Sequence, residues 1–118
     1  MPPPKRGQVE TQYAKAAHLM RNADTHTTTM SATARLLRVT GAHDALAWVL
    51  GLTPCAPLSG RDLPDPDTRD LFGECARAEA VLRGKRVLPD GLHQPYVQGI
   101  EQALAWARGC PNALPPAD

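Results

Sequence analysis

Aromatic residues are scarce in this chain, with one Phe, two Tyr and two Trp among 118 residues. A sheet draws stability from aromatic and β-branched side chains on a pleated surface. Their scarcity, against abundant Ala and Leu, points to closely packed helices. Cysteine is scarce as well. Three cysteines, odd in number and widely spaced, make no disulfide framework, so the expected setting is the reducing cytoplasm. Charge of one sign is also missing. Thirteen basic and twelve acidic residues leave a formal net charge of +1, without the basic excess that lets a dedicated nucleic-acid binder draw affinity from phosphates. No apolar run approaches the roughly 20 residues that span a bilayer. The opening segment "MPPPKRGQVE" lacks the apolar core of a signal peptide.

The motifs of chemistry are absent too. The four histidines are scattered, and neither C-x-x-C nor H-x-x-x-H spacing occurs, so no zinc site is expected. There is no Gly-rich phosphate loop, no G-x-S-x-G elbow and no repeated E-x-x-H pair. The acidic run Asp62, Asp65, Asp67 and Asp70 lacks the glycine and terminal glutamate of a calcium loop. It reads instead as a helix N-terminus whose carboxylates the macrodipole favours. The expectation is therefore a protein with no catalytic residue, no metal, no cofactor and no evident small-molecule substrate, and not an enzyme.

What is present is an echo. "GAHDALAWVLG" at 41–51 returns as "GIEQALAWARG" at 99–109, a constant offset of 58 residues. Over 39–51 against 97–109, Val39, Gly41, Ala45, Leu46, Ala47, Trp48 and Gly51 find identical partners. Each copy is followed within three residues by proline, Pro54 and Pro111, as expected past a glycine-capped helix end.

The apolar spacing upstream of each copy is helical. Val9, Tyr13, Ala17 and Met20 share one face, and Leu71, Cys75, Ala78 and Leu82 share another. Asp65 reads as an N-cap, with Pro66 at the first helical position. The fold expected is all-α: a four-helix, bundle-like domain made of two similar hairpins, with helices near 8–23, 29–50, 66–83 and 95–108. It is one domain, 1–118. A proline-rich tail at 1–7 precedes a hairpin at 8–51, a proline-rich connection at 52–65 and a second hairpin at 66–109. The polar run at 24–31 is a candidate turn between the first two helices. The C-terminal tail, 110–118, is expected like the first to add little to the core.

Helices two and four are each apolar on two sides and are therefore expected to be the inner pair. In helix two the main stripe is Leu36, Val39, His43, Leu46, Ala47 and Leu50, with Leu37, Gly41 and Trp48 lying round the cylinder. In helix four Val97, Ile100, Leu104 and Ala107 form the stripe, flanked by Gly99, Ala103 and Trp106. A glycine inside a helix costs about 1 kcal/mol against alanine. Its recurrence predicts a notch where a helix backbone or an indole approaches. The Trp48 side of one hairpin is expected on the Gly99/Ala103 side of the other, and reciprocally. The rival is that Trp48, Trp106 and Leu37 form an exposed patch for a protein partner or a second copy.

His43 interrupts an apolar stripe and reads as a core residue with a satisfied hydrogen bond, with a ligand or pH-sensing role as the alternative. Cys75 reads as a small inert hydrophobe, and Cys55 and Cys110 follow the echoed helices and could approach each other. A nucleic-acid reading makes Val39-Thr40-Gly41 the turn of a helix-turn-helix and His43–Leu50 its recognition helix. Arg35, Arg38, Arg83, Lys85 and Arg86 would then contact phosphate. That helix has no Arg, Lys, Asn or Gln to read bases, and it carries Asp44.

With "ALAWVLG", the following "PLSG" and the second "ALAWARG", positions 31–109 resemble small helical proteins of actinobacteria, their phages and mobile elements. The resemblance implies a setting and carries over no catalytic residue. The expected function is that of a non-enzymatic interaction or accessory protein that binds another protein or itself. The alternative is a small nucleic-acid-associated transcriptional regulator.

Overall fold

The computed structural model describes residues 2–22 and 30–117, with the side chains of residues 30 and 31 excepted. Among these residues the chain forms four helices and no strand: α1 (Arg6–Arg21), α2 (Met30–Val49), α3 (Thr68–Leu82) and α4 (Gln94–Ala107). The expected helices are met to within two residues at the described ends. The turn expected at 24–31 falls mostly outside the described residues.

α1 packs on α2 and α3 on α4, while α2 and α4 make the most extensive contact of all. They are the inner pair, as their two-sided apolar pattern requires. The core runs between them through Ala45, Leu46, Trp48, Val97, Ile100, Ala103 and Leu104, every one of them sealed from solvent. Leu36 is the exception to the expected stripe, lying 37% exposed on the first half of α2. α1 lies antiparallel to α2. The Tyr13 ring stacks on His43 with centroids 4.7 Å apart, and Arg6 Nη2, from the first residue of α1, donates to the carbonyl of Leu50 just past the end of α2 at 3.2 Å.

The glycine notches are filled by backbone. A Cβ added to Gly41 would overlap the carbonyl of Tyr96 and crowd the amide of Ile100. One added to Gly99 would overlap the carbonyl of Arg38 and crowd the amide of Ala42. The 58-residue offset carries the first set of contacts onto the second, so the crossing of α2 and α4 is locally twofold. The helix ends match in the same way. Gly51 and Gly109 take positive φ of 76° and 84°. Each closes a Schellman motif, the first through Gly51 N to Trp48 O and Leu52 N to Ala47 O, the second through Gly109 N to Trp106 O and Cys110 N to Ala105 O.

Four expectations are corrected. α2 runs unbroken through Val39-Thr40-Gly41, so there is no helix-turn-helix there. Its supposed turn is the point where α4 presses closest. α3 starts two residues later than Asp65 and Pro66 suggest. Asp67 is its N-cap and accepts from Asp70 N at 2.9 Å, while Asp70 Oδ2 accepts from Asp67 N at 3.0 Å. That reciprocal box satisfies two end donors, which Asp65 with Thr68 three residues on does not offer. Trp48 does not cover a glycine notch, since backbone already occupies it; the indole points to the connection instead. The C-terminal tail is not loose. Ala113 packs on the core, and Ala117 N donates to the buried Gln12 side chain at 2.8 Å.

Candidate functional site

The two tryptophans share a place in the echo and differ in surroundings. Trp48 is fully buried, and its Nε1 donates to the Leu63 carbonyl in the connection at 2.9 Å. It therefore offers nothing to a partner, which removes Trp48 from the rival reading of an exposed patch. The connection covers it because Glu74, on α3, holds that loop down. Glu74 is 2% exposed, and its Oε2 accepts from Leu58 N, Ser59 N and Ser59 Oγ at 2.9, 3.0 and 3.2 Å. The other oxygen faces Arg77 Nη1 at 3.6 Å. A carboxylate that takes two adjacent backbone amides fixes the "PLSG" turn, and Leu58 can then bury.

Trp106 has no such cover. It is half-buried in the wall of a groove of about 740 Å³ between α1 and the segment that follows α4. α1 contributes Gln8, Thr11, Gln12 and Lys15, and the tail contributes Asn112, Leu114 and Pro115. A second hollow of about 440 Å³ shares Thr11 and Lys15 and continues along α1 to His18 and Leu19, with Ala117 beside it. From Gln8 to Leu19 the helix rises roughly 17 Å at 1.5 Å per residue. Among the described residues the walls of both hollows contain no acidic side chain. Leu19 and Leu114 stand 44% and 71% exposed at this surface. The chemistry offered is an indole, prolines, leucines, neutral amides and hydroxyls, with Lys15 as a cation and His18 at one end, a mixture suited to gripping a peptide segment.

Leu37 is half-buried on the first half of α2 and takes no part in this groove. Arg35 and Arg38 are exposed on the same half of α2. Arg83, Lys85 and Arg86 are exposed at the far end of α3, where Arg83 pairs with Glu79 at 2.7 Å. No hydrogen bond or ion pair among the described residues joins the two basic groups.

His43 has the satisfied bond expected of it, within a cluster that ties α1, α2 and α4 together. Its Nδ1 lies 3.0 Å from Asp44 Oδ1, and Asp44 Oδ2 accepts from the Tyr96 hydroxyl at 2.6 Å. Burial, then the bond to Asp44, then that carboxylate's charge push the Tyr96 phenol well above its ordinary range. Cys75 is 2% exposed, and burial raises its thiol although Arg108 acts in the opposite sense. That is the reverse of a reactive cysteine. All three cysteines are free, with Cys55 exposed. Arg108 lies over the Phe72 ring, 4.4 Å from its centroid.

Sequence reasoning missed Gln12 and Glu74, since a buried amide and a buried carboxylate carry no local pattern. The buried face of α1 is Val9, Gln12 and Ala16, whereas Tyr13, Ala17 and Met20 of the expected face are only half-buried, so Gln12 lies just outside the stripe read from the spacing. Among the described residues no helix is long and apolar enough to cross a membrane, and no three His, Cys, Asp or Glu side chains gather as metal ligands. Comparison of the chain with protein-family models, curated proteins and solved structures returns no match.

Proposed function

We propose that the protein is a non-enzymatic helical interaction protein, which seats a segment of another protein in the groove between α1 and its C-terminal tail. The observation that carries this is the asymmetry of the two tryptophans. Trp48 is sealed by the connection, whereas Trp106 is left in a groove wall beside exposed leucines. Large aromatics that remain partly accessible in a concave, mostly apolar setting are the usual anchors of recognition. At roughly 17 Å the groove accommodates about three helical turns, or about five residues of extended chain. The three free thiols favour a cytoplasmic site of action, in the actinobacterial or phage setting that the sequence resemblance implies. Nucleic-acid regulation loses its structural basis with the helix-turn-helix, because Gly41 and its flanks are occupied by α4.

A photo-crosslinking residue at Thr11, in the groove wall, is the direct test in the native host. It is expected to trap a foreign polypeptide, and Trp106→Ala is expected to abolish the adduct. The same residue at Val87, which is 91% exposed and remote from the groove, is expected to trap nothing specific. Equal trapping at both positions refutes the proposal. So does salt-sensitive DNA binding that disappears on changing Arg35 and Arg38 to Ala.

A further inference from the structure

The groove along α1 is divided by the chain's own tail. Pro115 lines the first hollow and Ala117 the second, while Thr11 and Lys15 line both. The two hollows are therefore neighbouring parts of one trough, and residues 115–117 cross it where they meet. Lifted away, that crossing leaves the trough continuous from Gln8 to Leu19.

The hold on the crossing is slight and lies at its far end. Gln12 is 5% exposed, and its Oε1 accepts from Ala117 N at 2.8 Å. Pro115 and Pro116 have no N–H to give. Among the described residues, Ala117 N is the only backbone donor of 114–117 that bonds to α1. Upstream the anchor is firm: Cys110 N donates to Ala105 O, Ala113 N donates to Cys110 O, and Ala113 packs on the core. Beyond it Leu114 is 71% exposed and residues 115–117 are only half-buried. Few buried contacts and one hydrogen bond are the profile of a segment that opens ahead of the fold. Its opening takes a donor from a buried oxygen, which is costly unless another donor replaces it. A helix keeps its interior N–H groups for itself, so the replacement comes from an extended segment.

We infer that residues 114–117 are an autoinhibitory strap, a built-in occupant of the groove that a partner's segment displaces. The incoming segment lies extended along α1 and donates a backbone N–H to Gln12 Oε1 in place of Ala117. This rests on the reading of the groove as a docking site, and adds to it a gate and one fixed polar contact. The strap lowers the partner's apparent affinity in proportion to the time the trough is closed. Anything that loosens the strap therefore strengthens docking without touching Trp106.

A photo-crosslinking residue at Thr11 of the purified chain tests the strap, with an excess of a synthetic peptide of residues 112–117 as the probe. In the parent the expected adduct is in cis, to residues 114–117, with little peptide trapped. Ala117→Pro removes the N–H and is expected to raise the peptide adduct roughly fivefold as the cis adduct falls. Far-ultraviolet circular dichroism should not change, since residue 117 lies outside the helices. Gln12→Met should also release the strap but trap no more peptide than the parent, because the acceptor is lost to strap and peptide alike. Equal peptide trapping by the parent and Ala117→Pro overturns the inference, as does a gain with Gln12→Met that matches Ala117→Pro. In the native host the foreign adduct should rise with Ala117→Pro. A foreign adduct of unchanged yield overturns the strap and leaves the groove standing. Its absence from both chains overturns the groove reading, and autoinhibition with it.

Discussion

Gly41→Ala adds one methyl group, and its effect follows from what that group meets. In an open helix the change stabilises by about 1 kcal/mol through backbone entropy. At Gly41 the new Cβ overlaps the Tyr96 carbonyl, in the first turn of α4, a helical backbone group that cannot rotate aside as a side chain would. Overpacking of a close-packed interior costs roughly 1–3 kcal/mol, and a backbone obstacle belongs at the top of that range. The net expectation is a loss of about 2 kcal/mol, or a Tm lower by roughly 6–10 °C for a chain of this size. Gly99→Ala should cost as much, because it meets the Arg38 carbonyl in the same way. One outward shift of α4 relieves both overlaps. The double variant should therefore cost about 1 kcal/mol less than the two single losses together. Gly73→Ala, on the open face of α3, should instead gain up to about 1 kcal/mol. Urea unfolding followed by circular dichroism reads all four. A Gly41→Ala variant as stable as the parent, or a double variant with additive losses, refutes the reasoning.

Trp48→Phe should cost about 2 kcal/mol by urea unfolding, since it leaves the Leu63 carbonyl without its donor and opens space in the core. Trp106→Phe should cost less than 1 kcal/mol, because that ring is only half-buried. Glu74→Ala should destabilise by roughly 3 kcal/mol and Glu74→Gln by much less, since the amide keeps one acceptor for Leu58 and Ser59. The raised Tyr96 phenol keeps its proton in the fold after the unfolded chain has lost it, near pH 10. Its contribution to stability is thus full below about pH 10 and declines above it, and Tyr96→Phe should make the alkaline slope shallower. Thiol labelling should be fast at exposed Cys55 and slow at Cys75, whose labelling rate should follow global unfolding.

Much of the architecture can be read without coordinates because it is periodic or terminal. The α4 stripe Val97, Ile100, Leu104 and Ala107 is buried as its spacing demands, and the glycines at 51 and 109 stop their helices with positive φ. The glycines at 41 and 99 announce close approach, but the spacing cannot say what approaches. Backbone wins over indole because the two notches face each other at one crossing. The start of α3 is misread because Asp65 and Asp67 are equally good caps alone. Only the reciprocal bond with Asp70 decides between them. The difference between Trp48 and Trp106 is invisible locally, since it depends on a connection held by Glu74 from another helix and a tail held by Gln12. Those are pairings over 16 and 105 residues, and nothing in a local window encodes them.

The claim on which the fold account rests is that α2 and α4 touch backbone to backbone at Gly41 and Gly99. Nuclear Overhauser spectroscopy on the isotope-labelled chain measures this directly. Strong contacts are expected from the Gly41 α-protons to Tyr96 and Ile100, and from the Gly99 α-protons to Arg38 and Ala42. If either glycine shows instead only contacts to side-chain protons of Trp48 or Trp106, the crossing described here is wrong.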